Sequence, residues 1–231
     1  MLFRSTPLKG LVLDLRNNPG GVLQAAVAVS DLFLHQGTIV YTEGRLDPAN
    51  MVYEATGRTL MPDLPLVVLI NEGSASASEI VAGALQDHRR ALLLGTATFG
   101  KGSVQTVLPL TNEKAIKLTT ALYFTPNGRS IQAEGIQPDL RVERSTVTRI
   151  RSNPFAVQEK DLPGHLSAPE GSQPSEQSKP DLSAKAQDNL AGWNEDFQLT
   201  EALNLLKGLN ILSAASAMPS TVTPRDQTDS E

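Results

Sequence analysis

The chain has 231 residues, 40 % of them hydrophobic, and a net charge of −5; that is enough apolar material for one large domain or two small ones. There is no cysteine, which excludes disulfides, thiolate-held zinc and thiol nucleophiles, and three scattered histidines without an H-x-x-x-H spacing argue against a zinc hydrolase. A pI near 5.3 gives no electrostatic case for nucleic acid or an anionic membrane.

Residues 1–9 lack the apolar run and small-residue cleavage site of a signal peptide, and no stretch of about 18 apolar residues could span a bilayer. Leu11–Leu15 reads as a short buried strand, closed by Arg16-Asn-Asn-Pro-Gly-Gly21. Val22 to Leu34 has helical spacing, ended by Gly37, and Thr38–Thr42 reads as a second strand. Residues 44–62 mix charge and proline and read as a loop or weak hairpin. Pro65–Ile70 is the strongest strand signal, followed by a helix over Ala77–Gln86 and a strand over Ala91–Leu94. This order predicts an α/β layer with mostly parallel pairing from 11 to 94. Beyond Lys101 the pattern turns β-rich, over Ser103–Leu108 and Ala115–Phe124, with a turn at Asn112–Lys114 and another at Asn127-Gly128. Residues 152–186 are rich in Pro, Ser and Gln and predict a flexible linker. Helical character returns over Trp193–Leu212, and the last dozen residues read as disordered.

Two segments carry chemistry. Ser76 lies in Asn71-Glu-Gly-Ser-Ala-Ser-Ala-Ser-Glu-Ile80, where a strand passes into a helix. A hydroxyl at a helix start sits near free backbone N–H groups and the positive end of the helix dipole, which favour a developing oxyanion; the Ala77 N–H is the natural donor. The same residues, Ser76-Ala-Ser-Glu79, also spell a capping box that needs no catalysis, and Ser74 and Ser78 compete for the role. The second segment is Thr98-Phe-Gly-Lys-Gly-Ser-Val-Gln105. A solvated lysine is a poor base at neutral pH, but burial of Lys101 beside Phe99 and Val104 would favour its neutral form. Gln105, on the same side of an extended strand, could orient it. Gly95 to Lys101 also matches most of a phosphate loop, yet Gly102 replaces the required Ser/Thr and a strand pattern follows where a helix is needed. The paired glycines Gly20 and Gly21 admit close approach of a substrate and could supply a second oxyanion donor, unless they are an ordinary turn. Asp14 is a candidate buried acid beneath the site, and His35 and His88 read as surface residues at helix ends.

Four stretches together resemble the carboxy-terminal processing, or tail-specific, proteases, which are Ser–Lys serine peptidases: Gly10–Gly21, Gly73–Asp87, Thr98–Gln105 and Thr125–Gln132. The likeness runs over roughly residues 8–142. It implies a crotonase/Clp-protease-like α/β core of stacked β-β-α units, with a flexible C-terminal tail and terminal helix. It also implies Ser76 as nucleophile, Lys101 as general base, Gln105 in support, and an oxyanion hole from Ala77 with Gly20 or Gly21. The implied reaction is peptide hydrolysis through an acyl-enzyme without metal or cofactor. The substrate is a protein or peptide with a flexible C-terminus, and the location is the periplasm or the outer face of the inner membrane. A homo-oligomer or an adaptor protein would be a further partner; nucleic acid would not. Family members carry an export signal and a PDZ domain before the glycine loop. The expectation is therefore an N-terminally incomplete catalytic core over 1–150, a linker over 151–192, a helical segment over 193–212 that docks on the core or a partner, and a disordered tail over 213–231. A catalytically inactive binding module of the same fold is the competing reading.

Overall fold

The computed structural model describes residues 8–110, 114–146 and 196–216, together with 157, 159, 162–164 and 166. Most of the expected linker, the tail beyond 216 and most of the Asn112–Lys114 turn lie outside the described residues. Two compact units are present, one drawn from Met1–Arg144 and Gln198–Glu231, the other from Ser145–Phe197. Of the second, a turn is described in which the Leu162 N–H donates to the Glu159 carbonyl (3.0 Å).

The strands of the first unit are β1 (Leu11–Asp14), β2 (Thr38–Gly44), β3 (Met51–Glu54), β4 (Leu66–Ile70), β5 (Leu92–Gly95), β6 (Ser103–Pro109), β7 (Ala115–Phe124) and β8 (Leu140–Arg141). Its helices are α1 (Leu23–Asp31), α2 (Ala77–Asp87) and α3 (Phe197–Ser216), with a short 3₁₀ turn at Asp47–Ala49. One sheet has the order β1-β4-β5-β8, all parallel; the other is antiparallel, β3-β2-β7-β6.

The run Leu-Val-Val-Leu-Ile of β4 is buried at every position, because helices cover both faces of the parallel sheet. Leu66, Val68 and Ile70 face the main core with Ile80, Val81 and Leu85 of α2. Val67 and Leu69 face the other way, against Ala202 and Leu206 of α3 and Leu94 of β5. The terminal helix therefore docks on the core.

The expectation of mostly parallel pairing from 11 to 94 holds for β1, β4 and β5 and needs correction for β2. Residues 44–62, read as a loop or weak hairpin, hold one strand, β3, whose antiparallel partner is β2; β2 also pairs with β7, where Tyr41 lies opposite Phe124 with ring centroids 5.2 Å apart. Strands with exposed polar residues such as Glu43 of β2 and Lys117 of β7 among apolar ones suit a sheet with one face wet, not the doubly covered parallel layer. The Asn127-Gly128 turn forms as expected, with Gly128 at φ +80° and its N–H donating to Thr125 O (2.8 Å). It is held to the end of α2 by Asp87, which accepts the Asn127 N–H (2.8 Å) and pairs with Arg129. Among the described residues no helix is long and apolar enough to cross a membrane.

Candidate active site

β4 ends at Ile70, and Asn71–Ala75 carry the chain to α2. Ser76 is the N-cap of that helix, at φ 57°, ψ −116°, a backbone region that residues with a side chain rarely occupy and that costs about 1–3 kcal/mol. The surroundings enforce it. The Ala75 N–H donates to Asn18 O (3.0 Å), and the Ser76 carbonyl accepts the N–H groups of Glu79 (2.9 Å) and Ile80 (3.1 Å). The Ser76 N–H donates to Glu79 Oε2 (2.7 Å), so Glu79 does cap the helix, but around a strained, half-buried serine. Ser76→Gly is therefore expected to unfold at higher temperature than Ser76→Ala, by about 1 kcal/mol of relieved strain; equal melting points would show that the backbone there is relaxed.

Asn17-Asn-Pro-Gly-Gly21 lies directly against this turn. A Cβ on Gly20, at φ +89°, would sit 2.4 Å from the Ala75 carbonyl oxygen and 2.6 Å from the Ala77 nitrogen, so only glycine fits. The Gly20 N–H is taken by Asn18 Oδ1 (3.0 Å). Neither the Ala77 N–H nor that of exposed Gly21 has a hydrogen-bond partner among the described residues. The competing Ser74 is fully buried; its hydroxyl donates to Leu15 O (2.7 Å) and accepts the Asn71 N–H (3.1 Å). Ser78 is buried in the first turn of α2.

Glu79 joins the second segment to the first. Its carboxylate, wholly buried, accepts four donors: Ser76 N–H and Lys101 N–H (2.9 Å) on Oε2, Thr98 Oγ1–H (2.5 Å) and Gly100 N–H (2.7 Å) on Oε1. Because one oxygen holds both amides, the backbone nitrogens of Ser76 and Lys101 lie no further apart than those two bonds laid end to end. Gly100 and Gly102 let the 131–135 loop close over this segment. A Cβ on Gly102 would lie 2.3 Å from the Gln132 nitrogen, and the Gly102 N–H donates to Gln132 Oε1 (3.1 Å).

These same segments fall within a match to the model of peptidase family S41 over residues 2–142. The chain belongs to peptidase family S41. A carboxy-terminal-processing protease of Bartonella bacilliformis is 49 % identical over 201 residues, covering 87 % of this chain and 45 % of that protein. A carboxyl-terminal-processing protease of Synechocystis is 48 % identical over 139 residues, covering 60 % and 32 %. Among solved structures, a photosystem II D1 C-terminal processing protease superposes with a TM-score of 0.55 at 42 % identity, covering 58 % of this chain and 35 % of that one. This S41 chain thus spans less than half the length of these relatives.

Within the S41 frame several expectations need correction. Phe99, expected to shield Lys101, is 68 % exposed: its N–H is anchored on Ser74 O (3.0 Å) and its ring lies in solvent. Lys101 is half-buried, and its ammonium makes no hydrogen bond or ion pair among the described residues. Gln105 is exposed on β6 without a hydrogen bond to Lys101, and none joins Lys101 to the Ser76 hydroxyl. Asp14 is an exposed residue paired with Arg16 (2.7 Å), not a buried acid. His35 is exposed as expected, but His88 is half-buried and its Nε2 hydrogen-bonds Thr38 O (2.7 Å). After Lys101 comes strand β6, so the phosphate-loop reading lacks its helix. What sequence reasoning missed is the second task of Glu79; its signal was Glu three residues after Ser76, a spacing that by itself shows only a cap.

Proposed function

We propose that this chain carries the catalytic part of a serine endopeptidase, with Ser76 as nucleophile and Lys101 as general base. The observation that carries the reading is the shared Glu79 oxygen, which holds the strained Ser76 turn and the Lys101 backbone side by side. Neutral Lys101 Nζ takes the Ser76 proton as Oγ attacks the scissile carbonyl carbon. The oxyanion that develops is met by the Ala77 and Gly21 N–H groups, each worth about 3 kcal/mol in such a hole. Gly20 serves by close approach, since its own N–H is engaged. Lys101 then gives the proton to the leaving amine as the C–N bond breaks, leaving an acyl-Ser76 ester. Lys101 takes a proton from water as it attacks the ester carbonyl, then returns that proton to Ser76 Oγ as the acyl–oxygen bond breaks. Gln105 orients the lysine amine once substrate has closed over it, and the bound substrate supplies the dry surroundings that Phe99 does not. The reading extends to the periplasm or the outer face of the inner membrane as the site of reaction and to a floppy protein C-terminus as substrate, both supported by the family resemblance.

Cleavage of an unfolded protein and labelling by a fluorophosphonate test this. Ser76→Ala and Lys101→Ala are each expected to lose cleavage by at least about a thousandfold, and the reagent's mass is expected on Ser76. Normal cleavage by either variant, or a folded chain whose Ser76 takes no reagent, would overturn the assignment.

A further inference from the structure

β6 ends its sheet, and among the described residues no strand pairs with its outer edge. The direction of its backbone groups can be read from two hydrogen bonds to β7: Gly102 O accepts the Tyr123 N–H (2.7 Å), and the Leu110 N–H donates to Lys114 O (2.7 Å). Both residues face β7 and both are even-numbered. The one irregularity of the pairing falls on β7, where the register passes from Ala121 to Thr119 and skips Thr120, so alternation along β6 is unbroken. In an antiparallel strand a residue points both its N–H and its C=O the same way, and its neighbours point theirs oppositely. Ser103, Gln105 and Val107 therefore present N–H and C=O outward, and the next outward position is Pro109, which has no N–H to offer. A proline there ends the usable edge, a common way of limiting unwanted strand pairing.

This edge begins two residues after Lys101, whose N–H shares an acceptor oxygen with that of Ser76. Its far part carries apolar side chains that the core does not cover: Leu108, with Ile116 and Leu118 of β7 on the same face, each 43–47 % exposed. We propose that the outer edge of β6 is the docking strand for substrate. An extended segment of the target protein adds to the sheet along Ser103–Val107 and runs one end into the Ser76 turn. The inference rests on the peptidase reading above. Recognition through main-chain groups tolerates many sequences. What it demands is a segment free to become a strand, with apolar side chains on alternate positions favoured by Leu108, Ile116 and Leu118.

The test uses the full chain carrying Ser76→Ala, so that binding is read without cleavage, with fluorescent carboxymethylated α-lactalbumin, an unfolded protein, as probe. Val107→Pro removes one outward N–H and sets a ring on the edge while leaving the β7 ladder intact; Val107→Thr changes the side chain and keeps the N–H. Val107→Pro is expected to weaken binding by at least about fivefold with an unchanged melting point, and Val107→Thr to bind nearly as the parent does. Should Val107→Pro fail to fold, hydrogen exchange on the parent decides: bound probe is expected to slow the amides of Ser103, Gln105 and Val107. Equal affinity across the three chains, bound probe without protection of those amides, or no binding by any chain would overturn the docking edge. So would a dimer of the chain that Val107→Pro dissociates, since the edge would then belong to a second copy. Fluorophosphonate labelling of Ser76 reads the peptidase assignment separately.

Discussion

Glu79→Ala is expected to destabilise the chain by more than about 3 kcal/mol and to abolish labelling of Ser76. The carboxylate is wholly buried and four donors converge on it. Alanine leaves all four without their acceptor, those of Thr98 and Gly100 in the buried interior, and each orphaned buried donor costs about 1–3 kcal/mol. The chemical effect is a matter of geometry. Without Oε2 nothing ties the Ser76 N–H to the Lys101 N–H, and the strained turn loses one of the bonds that offset its cost. Glu79→Gln separates charge from shape. The amide nitrogen can turn toward Thr98 Oγ1, which accepts as well as donates, and Gln Oε1 can keep the Ser76 and Lys101 amides. The Gly100 N–H and the Thr98 hydroxyl proton are then orphaned, Thr98 Oγ1 accepting from the amide and from the Ile136 N–H (2.7 Å), so two donors rather than four lose their acceptor, at about 1–3 kcal/mol each, with partial labelling retained. Urea unfolding and labelling rates check both. An alanine variant within about 1 kcal/mol of the parent, less than one orphaned donor costs, would mean that Glu79 does not hold the site together.

How far the sequence alone reaches varies by element, for physical reasons. β4 is legible because five apolar residues stand between Pro65 and Asn71, and only a strand buried on both faces reads so. The passage from β4 into α2 is equally legible, since Ser76 and Glu79 sit at cap spacing. The sheet to which β2 belongs is not: its pairing with β3 is local, and its other antiparallel partner, β7, lies far along the chain. Nor is the direction of a side chain on a loop: Phe99 and Val104 look alike as hydrophobes beside Lys101, yet one is in water and the other packs on the core. The choice between Gly20 and Gly21 depends on a single bond from the Gly20 N–H to Asn18 Oδ1, which no spacing rule announces. The role of Glu79 is hidden in the same way: local pattern shows the cap, while the donors from Thr98, Gly100 and Lys101 arrive from some twenty residues on.

A chain stopped before Phe197 is expected not to fold stably, although every residue of the S41 match is kept. The family model ends at residue 142, and α3 lies beyond it. Yet the face of the parallel sheet made by Val67, Leu69 and Leu94, each at most 1 % exposed, has α3 as its cover, through Ala202 and Leu206. Re-exposing a buried Val or Leu costs about 1.5–3 kcal/mol, so three sheet residues alone approach the roughly 5–15 kcal/mol that holds a whole domain together. The contact is specific as well as apolar. Leu206 packs where a Cβ on Gly10 would come within 2.9 Å of its Cδ2. Asn210 Nδ2 donates to Lys9 O (2.6 Å), and Gln198 bridges the Arg16 guanidinium (3.0 Å) to Val142 O (2.7 Å). Arg16 heads the glycine loop, so undocking α3 also frees the loop that packs on Ser76. Leu206→Ala gives the graded version, an expected loss of about 2–4 kcal/mol from the cavity it leaves. Urea midpoints of the three chains decide the matter: a shortened chain that unfolds at the parent's midpoint would show that the second sheet face needs no cover and that α3 merely rests there.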